Sequence, residues 1–209
     1  MKLYDSVVII HDHSPDLSSE VGAIRAALEA FGLRVHLYNL AQKQNALDVL
    51  AGAIPDCEYV ILCCHGERGT DGEPQISIRT IDQAEGDYSK SGGWEIVTVG
   101  LTPTSIPVYL SGGGRTLICI ACGSGQDSFA HAFVKAGYKA YIAPRGGGVH
   151  INAAVLFIVG FFYHLMAANR LDDEPLQHTD QEAAVLASQA DVNYTHGTLA
   201  FHYYSGLER

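Results

Sequence analysis

The sequence predicts one α/β domain, a three-layer sandwich with a mostly parallel central sheet, helices on both faces and a small β-hairpin excursion. Segments rich in β-branched residues alternate with helical patterns, as in βαβ units. The first such segment, Val7–Ile10, is entirely apolar, as expected for a strand covered on both faces. With 209 residues and 47% hydrophobic content, the chain can form one large core but not two large domains. We therefore expect a single domain over residues 1–209.

The first half of the chain is predicted to hold three parallel strands and two helices. After the first strand, a helix ended by Gly32 is indicated by an apolar stripe with helical spacing, namely Val21, Ile24, Leu28 and Phe31. A strand over 34–40 and a helix over 44–53 follow. The third strand, Tyr59–Cys64, is entirely apolar and leads directly into His65-Gly66.

The second half begins with an excursion over residues 66–115, where Gly, Asp, Ser and Pro are frequent. Two short alternating runs, Gln75–Ile81 and Trp94–Leu101, predict an antiparallel hairpin or small sheet there. The parallel pattern then resumes as strand, helix, strand, helix, helix and strand, over 116–121, 127–136, 139–143, 151–168, 179–190 and 198–204.

Charge and hydropathy argue against nucleic acid and membrane as partners. The formal net charge is −10, and no run of Lys or Arg forms a basic stripe. The most apolar stretch, Ala153–Ala168, is interrupted by His164 and is shorter than the roughly 18–20 residues that a bilayer span needs. It is therefore predicted to be a buried helix.

The cysteines and the N-terminal residues predict a cytoplasmic protein. The chain has five cysteines, an odd number, and their spacing is neither CxxC nor that of a disulfide scaffold, which favours a reducing compartment. The first apolar run, Val7–Ile10, is too short for the core of a signal peptide.

Two predicted core strands end in reactive side chains. His65 follows the third strand, and Cys122 follows the fourth, within Ala121-Cys122-Gly123-Ser124-Gly125. Ligand sites of open parallel sheets lie outside the carboxyl ends of the strands, so neighbouring strands would place His65 and Cys122 over one edge. That arrangement predicts a cysteine–histidine dyad.

Each part of this predicted site has a chemical reason. A thiol with a pKa of about 8.5 is mostly protonated at neutral pH, so Cys122 would gain from a nearby histidine and from the start of the helix near Asp127. Glycine allows close backbone approach, and the amides of Gly66 and Cys122 are the natural donors for an oxyanion hole.

Four short motifs follow one another along the chain: His65-Gly66, Ala121-Cys122-Gly123-Ser124-Gly125, Ala136-Gly137 and Phe162-Tyr163-His164-Leu165. In these motifs and their order, the chain resembles the caspase-like cysteine peptidases, and most closely their CHAT branch, which includes the separase-like enzymes. The resemblance extends from Val7 to the final strand. It implies the caspase-like form of the three-layer sandwich and a cysteine endopeptidase that acts on a protein or peptide without a cofactor.

The same resemblance implies a substrate-binding pocket formed by Asp12, Ile120 and Arg145. If Asp12 points inward and Arg145 faces solvent, Arg or Lys would be preferred before the scissile bond. If both point inward, a neutral polar residue such as Asn would fit. The branch commonly has a tryptophan and an aspartate where this chain has residues 145–150. Its members are often fused to sensor domains, for which we expect no room here, so control by an activating or inhibitory protein partner is implied.

Several alternatives remain open from the sequence. The chain could be a catalytically silent module of the same fold, or an α/β hydrolase or amidase that uses Cys122 or Ser124. His11 and His13, with Asp12 and Asp16, could ligate a metal, although a polar loop is the expected reading and we predict no metal site. The glycine runs 112–114 and 146–148 lack the known phosphate-binding patterns and are expected to be rim loops.

Overall fold

The structure is a computed structural model that describes residues 6–12, 14–69, 72–83, 94–145, 151–167, 178–190 and 201–206. A six-stranded central sheet has the strand order β2-β1-β3-β7-β8-β9. All of its pairings are parallel except that of β8 with β9. This confirms the predicted mostly parallel α/β sheet. Its strands are β1 (Ser6–His11), β2 (Arg34–Asn39), β3 (Tyr59–Cys63), β7 (Thr116–Cys119), β8 (Ala140–Pro144) and β9 (Phe201–Ser205).

Helices cover both faces of the sheet, which gives three layers. On one face, α1 (Ser18–Ala30), α5 (Ile151–Ala167) and α6 (Asp180–Gln189) share a core cluster with the sheet. A second core cluster on the opposite face includes residues of α2 (Lys43–Leu50), α3 (Ile106–Tyr109) and α4 (Asp127–Lys135). Within the described residues, no helix has the length and apolar character needed to cross a membrane.

The central strands are apolar on both sides because both sides are buried. In β1, Val7 and Ile9 belong to the cluster with α1, whereas Val8 and Ile10 belong to the cluster with α2. All four are at most 2% exposed. Alternate side chains of a strand point to opposite faces, so one continuous apolar run supplies both cores.

The predicted excursion is a small antiparallel sheet with one more strand than expected. The strands β5 (Pro74–Gln83) and β6 (Trp94–Leu101) form the predicted hairpin, and β4 (His65–Arg68) pairs along the other edge of β5. His65 therefore begins a strand and is not part of a loop. Alternation over only four residues, two of them charged, is too short to indicate a strand.

Most predicted elements are confirmed, with small differences at their ends. Helix α2 ends at Leu50, earlier than predicted, and a single turn of 3-10 helix over Pro15–Leu17 precedes α1. The N-terminus of α6 has a capping box formed by Thr179 and Glu182. The beginning of the predicted last strand, residues 198–200, lies outside the described residues, as do residue 168 and the glycine run 146–148.

A buried carboxylate attaches α6 to the amino-terminal ends of the central strands β3 and β7. The Asp180 side chain accepts hydrogen bonds from the hydroxyl groups of Tyr59 at 2.7 Å and Thr116 at 2.9 Å. Lys139 Nζ lies 3.3 Å from the same carboxylate, which is 9% exposed. Two hydroxyl groups and an ammonium group thus compensate for burying this charge.

We predict that Asp180→Ala lowers the free energy of unfolding by about 3 kcal/mol, because it removes a buried acceptor of two hydrogen bonds and an ion-pair partner. Urea denaturation followed by circular dichroism measures the change. Asp48→Ala is the control, because Asp48 is an exposed carboxylate that accepts a hydrogen bond from exposed Gln44 within α2. Equal stability of the two variants would contradict a structural role for Asp180.

Candidate active site

The pairing of β3 with β7 places the segments that carry His65 and Cys122 side by side at the carboxyl ends of these two strands. The two strands are parallel neighbours, as expected, and Leu62 is in register with Cys119. His65 and Cys122 each lie three residues beyond that registered pair. Because neighbouring parallel strands are about 5 Å apart, the segments that follow β3 and β7 begin next to each other.

Gly66 lies against the backbone of Cys122. An ideal Cβ added to Gly66 would lie 2.8 Å from the Cys122 backbone nitrogen and still closer to its carbonyl oxygen. Real Cβ atoms do not approach backbone atoms so closely, so this packing requires glycine. The two residues predicted as oxyanion-hole donors are therefore in direct backbone contact.

The turn that carries Cys122 is fixed by hydrogen bonds to its neighbours. Gly123 adopts a φ of +67°, which favours glycine. The Ser124 hydroxyl donates to the Ala121 carbonyl at 2.7 Å, and the Tyr141 hydroxyl donates to the Ser124 carbonyl at 3.0 Å. Ser124 is 1% exposed, so its hydroxyl group is a support for the turn and not an accessible nucleophile.

Burial divides the cysteines into two groups. All five lie in the described residues, and none forms a disulfide. Cys63, Cys64 and Cys119 are at most 3% exposed, and burial raises the pKa of the Cys63 and Cys64 thiols. Cys122 and Cys57 are partly exposed, and burial raises the pKa of the Cys57 thiol. Of these two partly exposed thiols, Cys122 is the one whose backbone contacts Gly66, the residue that follows His65.

His65 faces a carboxylate that the sequence analysis considered only as a metal ligand. His65 Nε2 lies 3.3 Å from Asp16 Oδ2, an ion-pair distance. The two atoms do not meet hydrogen-bond geometry, and this buried nitrogen has no hydrogen-bond partner among the described residues. The sequence signal for this contact is the position of Asp16 shortly after β1, because β1 is the other neighbour of β3, the strand that leads into His65.

A cavity of about 350 Å³ opens beside Cys122. Residues of the small sheet, of the cysteine turn and of α4 line it, and they include Glu67, Arg68, Gln75, Cys122, Gln126 and Phe129. The hydrogen bonds from Ser77 and Gln75 lower the pKa of the Glu67 carboxyl. This wall of the cavity therefore carries a carboxylate.

The structure does not place the three predicted substrate-binding residues around one cavity. Asp12 is 1% exposed, and its carboxylate accepts hydrogen bonds from the Ser14 amide at 3.1 Å and the Arg79 amide at 3.2 Å. Ile120 is 4% exposed and packs in the core beside α1 and α5. The Arg145 side chain is 54% exposed, and its Nη2 atom lies 3.8 Å from Asp127 Oδ1. The cavity that Asp12 lines includes neither Ile120 nor Arg145.

The residues considered as metal ligands have other partners. Both ring nitrogens of His11 are within hydrogen-bond distance of acceptors, Asn39 Oδ1 at 3.1 Å and the Ser14 carbonyl at 3.2 Å. Across the described part of the chain, no group of three or more His, Cys, Asp or Glu side chains is arranged to hold a metal ion. His13 lies outside the described residues.

No model of a known protein family matches the chain, and no curated protein is significantly similar to it in sequence.

We predict that Gly66→Ala destabilises the protein by about 1–3 kcal/mol, because the added methyl group must push β4 away from the Cys122 turn. Gly22→Ala is the matched control. Gly22 is exposed in α1 with nothing within 4 Å of its ideal Cβ, so alanine there should stabilise by about 0.5–1 kcal/mol. Chemical denaturation of both variants measures the difference. A Gly66→Ala protein as stable as the wild type would show that the close approach is not required.

Proposed function

We propose that the chain is a caspase-like cysteine endopeptidase in which Cys122 is the nucleophile and His65 is the general acid and base. One observation carries the proposal. His65-Gly66 and Cys122 lie beyond the same registered pair of neighbouring strands, and Gly66 contacts the Cys122 backbone. The small sheet inserted between β3 and β7 supports the caspase-like form of the fold, because the resemblance in sequence includes such an excursion.

In the first half of the proposed reaction, His65 accepts the proton of the Cys122 thiol. The resulting thiolate sulfur attacks the carbonyl carbon of the scissile peptide bond, and the carbonyl electron pair moves onto oxygen. Backbone amides of Gly66 and Cys122 donate hydrogen bonds to that oxyanion. When the tetrahedral intermediate collapses, the C–N bond breaks and His65 gives its proton to the leaving amine.

In the second half, water hydrolyses the thioester. His65 removes a proton from the attacking water molecule, the oxyanion forms again, and the C–S bond breaks with return of a proton to the Cys122 sulfur. Every step is an acyl or proton transfer, so the proposed reaction needs no cofactor. The nucleophile must remain a reduced thiol, which suits the cytoplasm as the site of action.

The fixed cysteine turn favours this nucleophile over the neighbouring hydroxyl. The Ser124 hydroxyl group is buried and donates to the Ala121 carbonyl, whereas Cys122 is partly exposed beside the cavity. The proposed substrate is a protein or peptide, and a protein partner is proposed to control access to the site.

We predict that Cys122→Ala abolishes peptide cleavage and that His65→Ala lowers kcat/KM by about 10²–10⁴-fold, as expected when a general acid/base is removed. Mass-spectrometric mapping of cleavage in a peptide library, with and without candidate activating proteins, provides the assay. Cys119→Ala is the control, because Cys119 is fully buried and its removal should affect mainly stability.

Three results would contradict these roles. Full turnover by Cys122→Ala, with loss of turnover in another cysteine variant, would show that the nucleophile is wrong. Loss of activity in EDTA that zinc restores would replace the dyad with a metal mechanism. Iodoacetamide should also label Cys122 before the other four thiols in the native protein, and an unreactive Cys122 would favour a silent module.

For the residue before the scissile bond, we propose a preference for Arg or Lys. Arg145 faces solvent, and Glu67 supplies a carboxylate to the wall of the cavity beside Cys122, whereas Asp12 lines a different cavity. The Asp12 carboxylate accepts two backbone hydrogen bonds and is 1% exposed, so it acts on the site by holding the loops beside it. The net charge of −10 also attracts cationic substrates at low ionic strength.

We predict faster cleavage of a fluorogenic peptide with Arg before the scissile bond than of matched peptides with Asn or Asp at that position. Arg145→Ala should keep this order, because Arg145 is exposed and lies beside Asp127. The order is measured by comparing the kcat/KM values of the three fluorogenic peptides. Cleavage only after Asp, lost in Arg145→Ala, would instead identify Arg145 as the specificity residue.

A further inference from the structure

We propose that Asp16 is the residue that orients His65 and selects its tautomer, as a positioning residue for the Cys122–His65 pair. The expected effect of Asp16 on kcat rests on the proposed function, whereas its expected effect on the tautomer of His65 does not. The observation that carries it is the 3.3 Å distance from Asp16 Oδ2 to His65 Nε2.

The His65 ring nitrogen has a strong reason to interact with this carboxylate. Nε2 is inaccessible to solvent and makes no hydrogen bond to any of the described residues. An unsatisfied buried polar atom costs about 1–3 kcal/mol, so a nearby acceptor is favoured as its partner. Catalytic hydrogen bonds of unliganded sites are often poorly aligned and tighten when substrate binds. A small rotation of the exposed Asp16 side chain would make this hydrogen bond.

Asp16 is presented by a rigid turn. It lies in the 3-10 turn Pro15–Leu17, where proline restricts the backbone and the Leu17 side chain is 6% exposed in the core. The Leu17 amide donates to the Ser14 carbonyl at 3.1 Å, and the Ser14 amide donates to Asp12 Oδ1 at 3.1 Å. The backbone of Asp16 is thus held from both sides, although its side chain is exposed.

Hydrogen bonds of Asp12 also hold the segment that carries His65. The Asp12 amide donates to the Cys63 carbonyl at 3.2 Å, two residues before His65. Asp12 Oδ2 also accepts from the Arg79 amide of β5, the strand that pairs with β4. Buried Asp12 therefore connects the turn of Asp16 to both strands next to His65, which fixes the relative position of the two side chains.

This geometry assigns different roles to the two ring nitrogens. A neutral histidine carries one proton, and the hydrogen bond made by one nitrogen determines which nitrogen keeps it. With Nε2–H directed to the Asp16 carboxylate, Nδ1 is left as the base that accepts the thiol proton. The other nearby carboxylate, Glu67, already accepts hydrogen bonds from Ser77 and Gln75.

The test compares Asp16→Asn, Asp16→Glu and the control Asp56→Asn. Asp56 is an exposed carboxylate just before β3, at the opposite end of the sheet, so its variant makes the same change in charge away from the site. Asp16→Asn should lower kcat by about 10- to 100-fold with little change in KM, because a positioning residue affects the proton transfer and not substrate affinity. Asp16→Glu should restore part of the loss, and Asp56→Asn should match the wild type.

A second measurement does not depend on peptidase activity. Long-range ¹H–¹⁵N correlation spectra of protein with labelled histidine report which ring nitrogen carries the proton, and His65→Ala assigns the His65 signals. The wild type should show the Nε2–H tautomer, and Asp16→Asn should show a mixture. Both Asp16 variants should unfold close to the wild-type denaturant concentration, because Asn and Glu keep a side-chain oxygen that can accept from Nε2 and because the substituted side chain is exposed.

An unchanged His65 tautomer in Asp16→Asn would overturn the inference, as would an unchanged kcat in an active enzyme. If Cys122→Ala retains full turnover, the proposed function fails, and the tautomer measurement alone decides the role of Asp16. The two failures are therefore distinguishable.

Discussion

The parallel pairing of β3 with β7 is the contact on which the site depends. It places the segments that follow the two strands side by side and at the same level. It also brings the Gly66 backbone against that of Cys122, where no side chain larger than hydrogen fits. A one-residue change of register would move His65 away from Cys122 and would expose apolar residues that now pack in the two cores.

Buried polar groups hold the loops of this edge in place. Asp12 accepts backbone hydrogen bonds from two different segments, and the Ser124 hydroxyl closes the cysteine turn onto Ala121. Each such group is costly to bury unless it is paired, so the pairing restricts the loop to one conformation. The hydrogen bonds of Asp12 and Ser124 therefore fix the loops on either side of His65 and Cys122.

Much of the fold could be predicted from local patterns, and so could the approach of the segments that carry His65 and Cys122. Continuous apolar runs such as Val7–Ile10 identify buried parallel strands, and His65 and Cys122 stand out because each follows such a run. Strand β4 was missed because a four-residue strand has almost no periodicity of its own. Asp16 was missed as a partner of His65 because 49 positions of sequence separate them, and no local pattern joins such distant residues.

Sequence patterns alone identify the apolar residues, the positions of the glycines and the strands that end in reactive groups. These are local properties, since strand and helix periodicity depend on residues a few positions apart. Three features are visible only in the folded protein: Asp12 is buried and bonded to backbone amides, Arg145 faces solvent, and Asp16 lies beside His65. Those outcomes depend on the order of strands in the sheet and on how the loop after β1 folds over its edge, which are set by long-range packing and not by neighbouring residues.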